Sequence, residues 1–196
     1  AIGDFLCTKD FKVYGTSRNP SKYLDSNFQS FNLNVNNSVS INSCIDKIIK
    51  KEAVLDVLIN NAGVGITGPL EEIPEIEIKN NFSTNFFGPL NIIKKVLPFM
   101  RSQKSGLIVN ITSLAAYVGT PYRSVYSASK AALDLVSETL NMETKPFNIK
   151  VVTVAPGEFS TNIASRRYHA SSDKKSPYHL NYSKACLLYT SDAADE

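Results

Sequence analysis

Tyr126 and Lys130 stand four residues apart in the run YSASK. On a helix that spacing puts both side chains on one face. A tyrosine ordinarily ionises near pH 10, too high for a base at neutrality. A neighbouring ammonium favours the phenolate, so such a pair can exchange a proton with an alcohol or carbonyl oxygen. Ser113, just after the apolar run GLIVNIT, could donate a hydrogen bond to the same oxygen. Each feature alone has a plainer reading. Tyr-x-x-x-Lys also fits a solvated helix face, and Ser113 also fits a strand end or a helix cap.

The elements that must position these residues can be traced along the chain. Residues 1–9 fit the later part of a helix, and Phe11 to Gly15 fits a short strand that runs into the turn TSR. FQSFNLNV alternates apolar and polar residues, as a strand does. SVSINSCIDKIIKKE places Val39, Ile41, Cys44, Ile45 and Ile48 at helical spacing. LDVLIN, GLIVNIT and IKVVTV are continuous apolar runs, the mark of strands buried on both faces. Pro74 to Arg101 is a long helical stretch with Pro89 at a kink or bend. SVYSASKAALDLVSETLNME is a helix whose apolar side is expected to carry Ala128, Ala131, Leu135 and Val136. Ser160 to Lys184 is polar and Tyr-rich, with little periodicity.

Strands alternating with helices give an α/β fold, a parallel sheet with helices on both faces. Ligands of such sheets bind beyond the carboxyl ends of the strands. The residues there are TSR, NNAG, TS and PG, all polar or glycine-rich.

Composition narrows the classes. A chain of 196 residues with 43% apolar content is one domain of ordinary globular composition. A net charge of +3 does not point to nucleic acid. No apolar run approaches the roughly 20 residues of a membrane span. Cys7, Cys44 and Cys186 are far apart, without metal-ligand spacing, and read as free thiols of a reducing cytoplasm. His169 and His179 lie in the polar tail, and no metal site is expected.

Taken together, the motifs are far more specific than any one of them. DVLINNAG (Asp56 to Gly63), NFFG (Asn85 to Gly88), IVNITS (Ile108 to Ser113), YSASKAAL (Tyr126 to Leu133) and VAPGEFST (Val154 to Thr161) follow in order, and Ser113 precedes Tyr126 by thirteen residues. In this the chain resembles the short-chain dehydrogenase/reductase family, in its main branch, over residues 1–184. The resemblance implies a Rossmann-like doubly wound parallel sheet. It also implies hydride transfer between a nicotinamide and a carbonyl or secondary alcohol.

The family's tetrad falls on Asn85, Ser113, Tyr126 and Lys130. Tyr126 would be the general acid or base, and Ser113 would orient the substrate oxygen. Lys130 would hold the nicotinamide ribose and favour the phenolate. Asn85 would anchor a relay water, and as a residue read by itself it could equally bridge a helix bend. Asn61, Ala62 and Gly63 would line the cofactor cleft, with Pro156, Gly157 and Thr161 around the carboxamide. At the end of the second strand the family's NAD enzymes carry an acidic residue. This chain has Ser17 and Arg18 there, which suits the 2′-phosphate of NADP(H) and makes NAD(H) the lesser expectation. Arg18 also reads as a surface arginine. Asn34 replaces the usual Asp near the adenine. Its carbonyl can still accept a hydrogen bond.

Leu114, Tyr117, Tyr122, Phe159 and Ile66 could wall a pocket for a hydrophobic substrate, or simply pack a core. Arg166 and Arg167 could meet an acidic group or form a solvated charge run. A homodimer or homotetramer is the family-level expectation, with Ser127, Ala128, Ala131 and Ala132 small enough for close helix packing, or equally for packing on the sheet. The competing readings are a non-catalytic dinucleotide-binding protein on the same fold, an inactive fragment, and an epimerase or dehydratase of an extended branch.

The two ends carry expectations of their own. Fewer residues separate Gly3 from Phe11 than the family's pattern has, so Gly3 should be a helix glycine and not a phosphate-binding one. The first strand, its glycine turn and the C-terminal elements are expected to be missing. Residues 1–185 then form one incomplete domain that folds poorly and binds no cofactor. Cys186 to Glu196 resembles the in-frame translation of a transposase-type sequencing adapter, and these residues are expected to lie outside the fold.

Overall fold

A computed structural model describes residues 2–157, 166–171 and 173–190, with side chains up to Cys186. Helix α1 (Ile2–Cys7) leads to strand β1 (Tyr14–Ser17), which pairs in parallel with β2 (Gln29–Asn32). Helix α2 (Ser38–Glu52) follows and precedes β3 (Val57–Asn60) and the two-residue β4 (Ile66–Thr67). Helix α3 (Glu75–Phe82) runs through a π turn (Ser83–Phe87) into α4 (Gly88–Gln103). Strand β5 (Gly106–Ile111), α5 (Ser124–Thr144) and β6 (Ile149–Val154) complete the central part. Beyond lie β7 (Tyr168–His169) and α6 (His179–Thr190). All pairings are parallel. One sheet is β1-β2, a second is β3-β5-β6, and β4 pairs with β7. The α/β, Rossmann-like expectation is met. The resemblance expects one further strand between β1 and β3, and among the described residues no ladder joins those two.

The main core joins α2, α4 and the sheet. Ile41, Cys44, Ile45 and Ile48 of α2 meet Ile92, Ile93, Val96 and Met100 of α4, with Ile108 of β5 and Ile149 and Val151 of β6. Helix α2 starts on the side chain of Asn37, which accepts the Ser40 N–H at 2.8 Å. It ends at Ala53 in the left-handed conformation (φ 61°). A smaller cluster gathers Ile66, Ile73, Val125, Tyr126, Ala170 and Tyr182. All three cysteines are free thiols. Among the described residues, no helix is long and apolar enough to cross a membrane.

Several details depart from the sequence reading. Strand β1 begins at Tyr14, not Phe11, because the residues before it close α1. Asp10 turns at φ 62°, the Phe11 N–H returns to the Leu6 carbonyl, and the Phe11 ring is 54% exposed. Gly3 does lie inside a helix, where a Cβ would land 2.7 Å from the Phe28 ring. Val39 is 74% exposed, at the open edge of the α2 stripe. On α5 the expected apolar side is wrong. Ala128 and Leu135 are exposed, and the buried stripe is Val125, Tyr126, Ser129, Lys130, Leu133 and Ser137. Periodicity of apolar residues misreads a helix whose inward face carries satisfied polar groups. The tail also holds more structure than its composition suggests, namely β7 and α6. Helix α6 continues through Cys186 to Thr190, and Cys186 packs against the smaller cluster; residues 191–196 of the expected tail lie outside the described residues.

Ile41→Ala should cost about 2–5 kcal/mol, as a cavity in the α2–α4 core does. Val39→Ala, on the same helix, should stay within about 0.5 kcal/mol. Urea unfolding of the two variants distinguishes the stripe seen here from the one expected.

Candidate active site

The carboxyl ends of β3, β5 and β6 are tied to one another and to α5. Side-chain amides do part of this inside the sheet. Asn60 and Asn110 are register partners in β3 and β5. The Asn60 amide donates to Asn110 Oδ1 at 2.8 Å, and Asn110 donates to Ser137 Oγ of α5 at 2.8 Å. Beyond the strand ends, the Thr112 N–H donates to the Val154 carbonyl at 2.9 Å, and the Leu114 N–H donates to the Pro156 carbonyl at 3.1 Å. Ser113 therefore sits between two backbone bonds to the β6 end. Its backbone is extended, and its Oγ accepts the Ala115 N–H at 3.2 Å, capping a short 3-10 turn.

Lys130 is the buried charge of this region. It is 4% exposed, and its Nζ donates to the Ile111 carbonyl at 2.8 Å. Burial lowers its pKa from 10.5 to about 8. Tyr126, one turn earlier on α5, is 6% exposed. Across from Lys130 lies Gly63, where an added Cβ would stand 3.4 Å from Nζ and 3.5 Å from Asn85 Oδ1. Those are ordinary contact distances, and Gly63 has no positive φ. The chain's own packing therefore does not demand glycine at 63.

Asn85 fixes the loop that carries Gly63. It is fully buried in the π turn, where the Gly88 N–H reaches back to the Ser83 carbonyl. Pro89 has no N–H to close an ordinary helical bond at the Asn85 carbonyl, which is why the bend occurs here. The Asn85 carboxamide grips Val64 at both ends: Oδ1 accepts the Val64 N–H at 2.9 Å, and Nδ2 donates to the Val64 carbonyl at 2.9 Å. Nδ2 also lies 3.1 Å from Ser129 Oγ and 3.2 Å from Asn81 Oδ1. Asn81 Nδ2 adds a second donor to the Val64 carbonyl at 3.0 Å, and Ser129 Oγ donates to the Tyr126 carbonyl at 2.8 Å. The Asn85 side chain thus clamps the loop at Val64 to α5 through Ser129. Asn81 and Ser129 escaped the sequence reading. Their signal was spacing, with Asn81 four residues before Asn85 and Ser129 three after Tyr126.

The remaining candidates are placed as follows. Asn61 and Ala62 are exposed at the end of β3. Ser17 ends β1 and Arg18 follows it. Ser17 Oγ accepts the Asn19 N–H at 3.2 Å, and Arg18 is exposed, its carbonyl accepting from Asn32 at 3.0 Å. Asn34 Oδ1 already accepts the Asn36 N–H at 3.1 Å, and Asn36 Nδ2 bonds Thr84 of the π turn at 3.0 Å. Gly157 approaches Leu114, which is 57% exposed beside Ser113. Tyr117 is exposed, and its hydroxyl donates to Asp134 at 2.8 Å, which raises its pKa. Tyr122 (φ 62°) stacks near Tyr182 in the smaller cluster, and Ile66 is buried there, so both pack a core. Arg166 is exposed, and the stem of Arg167 lies on Gly65. Phe159 and Thr161 lie outside the described residues.

The Lys130 shift has a thermodynamic sign. The folded chain holds this proton less tightly than the unfolded chain, so unfolding takes up a proton between pH 8 and 10.5. Stability contributed by the neutral amine is full above that window and falls as pH drops through about 8. Lys130→Met should therefore stabilise the free protein at pH 7 by about 1–3 kcal/mol, with the difference vanishing near pH 10.5. Urea unfolding at the two pH values checks it, and a less stable Lys130→Met at pH 7 contradicts it.

The profile of the short chain dehydrogenase family matches residues 3–172. A 3-ketodihydrosphingosine reductase of Bacteroides thetaiotaomicron is 45% identical over 155 residues, covering 79% of this chain and 57% of that protein. This chain thus spans little more than half the length of that relative. A short-chain dehydrogenase structure from Streptomyces avermitilis superposes with a TM-score of 0.87 at 31% identity, over 96% of this chain and 71% of that one. A metagenomic short-chain oxidoreductase in complex with NADP gives a TM-score of 0.76 at 27% identity, over 81% of this chain and 76% of that one. With its motifs at the strand ends and the family profile matched along most of its length, the chain belongs to the short chain dehydrogenase family.

Proposed function

We propose that the protein is an NADP(H)-dependent oxidoreductase acting on a hydrophobic carbonyl compound or secondary alcohol. The observation that carries this reading is the buried Lys130 ammonium, one helical turn from Tyr126 and opposite Gly63. Among the described residues Lys130 has no carboxylate partner; a buried unpaired cation destabilises a fold, and a function explains its retention.

The residues fit a dinucleotide. Gly63 leaves room beside Lys130 that the chain's own packing does not require. Asn61 and Ala62 present open surface at the end of β3, with Pro156 and Gly157 at the end of β6. Among the described residues, no ion pair or side-chain hydrogen bond engages the Arg18 guanidinium, which suits a 2′-phosphate. When bound, the nicotinamide supplies or accepts the hydride.

The chain's own groups handle the proton. In reduction, the Tyr126 hydroxyl gives its proton to the substrate oxygen as that oxygen gains charge, and in oxidation the phenolate takes it back. Ser113 Oγ donates a hydrogen bond to the same oxygen. Its bond from the Ala115 N–H uses an Oγ lone pair and leaves the hydroxyl proton for this task. Lys130 holds negative charge on the Tyr126 oxygen and the ribose hydroxyls through its remaining N–H groups. Asn85 keeps the Gly63 backbone at its distance from Lys130. The family resemblance adds Thr161 to the cofactor contacts and Phe159, Leu114, Tyr117 and Tyr122 to the substrate contacts of the same reading. The relative named as a 3-ketodihydrosphingosine reductase supports a long apolar ketone as substrate class. Assembly with further copies through α5 completes the reading, since Ala128 and Leu135 stand exposed there.

The test uses the protein encoded by the full open reading frame. NADPH oxidation over a carbonyl panel should be fastest with long-chain ketones, and Tyr126→Phe should abolish it. Arg18→Ala should raise the KM for NADPH about tenfold, the loss of one charge-assisted contact, and leave NADH use unchanged. An unchanged NADPH KM contradicts the cofactor assignment, and turnover retained in Tyr126→Phe contradicts the mechanism.

A further inference from the structure

Arg123 occupies the N-cap position of α5, three residues before Tyr126. Its guanidinium carbon lies 5.2 Å from the centroid of the Tyr126 ring, within cation–π reach. Tyr126 is 6% exposed, so water screens this contact weakly. The arginine is held by its backbone. Its N–H donates to the Thr120 carbonyl at 3.1 Å, and its carbonyl accepts the Ser127 N–H at 2.9 Å. The turn just before it is fixed by Tyr122, whose φ is 62° and whose ring packs 5.1 Å from that of Tyr182.

We propose that Arg123 is a second cation acting on Tyr126, a positioning residue that stabilises negative charge on the Tyr126 oxygen during proton exchange with substrate. The proposal rests on the reading of Tyr126 as the proton donor and acceptor. Lys130 cannot serve this role at every pH, because its buried ammonium titrates near pH 8. A guanidinium keeps its charge throughout. The other titratable groups of the cluster around Tyr126 are Tyr122, Tyr168 of β7, and Tyr178, Tyr182 and Cys186 near or on α6. None of these is a cation when ionised. Burial pushes Tyr182 up to about 12, and the Glu71 charge raises Tyr178, so both shifts favour the neutral phenol. His169 of β7 is engaged by Thr67 at 3.0 Å, and Glu72 bonds Ser176. Arg167, whose stem lies on Gly65 and whose charge acts on His169, is a second permanent cation near the cluster, and Arg123 is the one that stands over the Tyr126 ring.

The test is the pH profile of kcat/KM for NADP-dependent alcohol oxidation in the full-length protein. Arg123→Met should move the acidic limb upward by about one pH unit, with an approximately tenfold loss below the limb. Arg123→Lys should recover most of both, and cofactor Kd should hold in each. If Arg123→Met does not fold, Arg123→Gln carries the same test. A superimposable limb, or an equal shift in Arg123→Lys, overturns the proposal while an inactive Tyr126→Phe leaves the general reading standing. Turnover retained in Tyr126→Phe overturns both.

Discussion

A lysine amine buried at the end of β5 organises this molecule. Lys130 is 4% exposed and donates a hydrogen bond to the Ile111 carbonyl at the end of β5. Holding a charge there is unfavourable unless its surroundings are rigid and polar. The surroundings are both. The Asn85 carboxamide pins Val64 through its N–H and its carbonyl, and this keeps Gly63 against the amine. Ser129 ties that clamp to the turn of α5 that carries Tyr126. Slackening any of these contacts would let the loop move and water reach the amine.

The same constraint explains features that a stability argument alone does not. The π turn at Ser83–Phe87 interrupts a long helix, yet it is what turns Asn85 toward Val64. Gly88 lets α4 pass close to Val35, where a Cβ would stand 3.0 Å away. The Asn60–Asn110–Ser137 chain places polar groups inside the sheet, and it sets the ends of β3 and β5 against α5. A polar network of this kind is favourable only when every member is satisfied, and here the members satisfy one another. The strand ends then converge on one region, which carries Ser113, Tyr126, Lys130 and Gly63.

How much of this the sequence discloses depends on the kind of signal. Strands β3, β5 and β6 and helix α2 were legible as elements from their apolar runs and helical spacing, but β6 is not buried on both faces: it alternates, with Val152 and Val154 exposed. The motif residues were legible as a set through their order and spacing. The buried face of α5 was not. Tyr126, Ser129, Lys130 and Ser137 point inward by virtue of bonds to Asn85, Ile111 and Asn110, and no hydropathy pattern encodes those partners. Strand β7 was hidden for a similar reason. Its two residues pair with Ile66 and Thr67, about a hundred positions away, and a bridge that short leaves no local period. Arg123 belongs to none of the sequence motifs, and only its position over the Tyr126 ring marks it.

The central claim is that Lys130 is a buried cation with a loosened proton. Lysine labelled with carbon-13 at Cε, with the Lys130 signal assigned by its loss in Lys130→Arg, reports this directly in an NMR titration. The account predicts a midpoint for Lys130 of about 8. A midpoint at the ordinary lysine value of about 10.4 would contradict it.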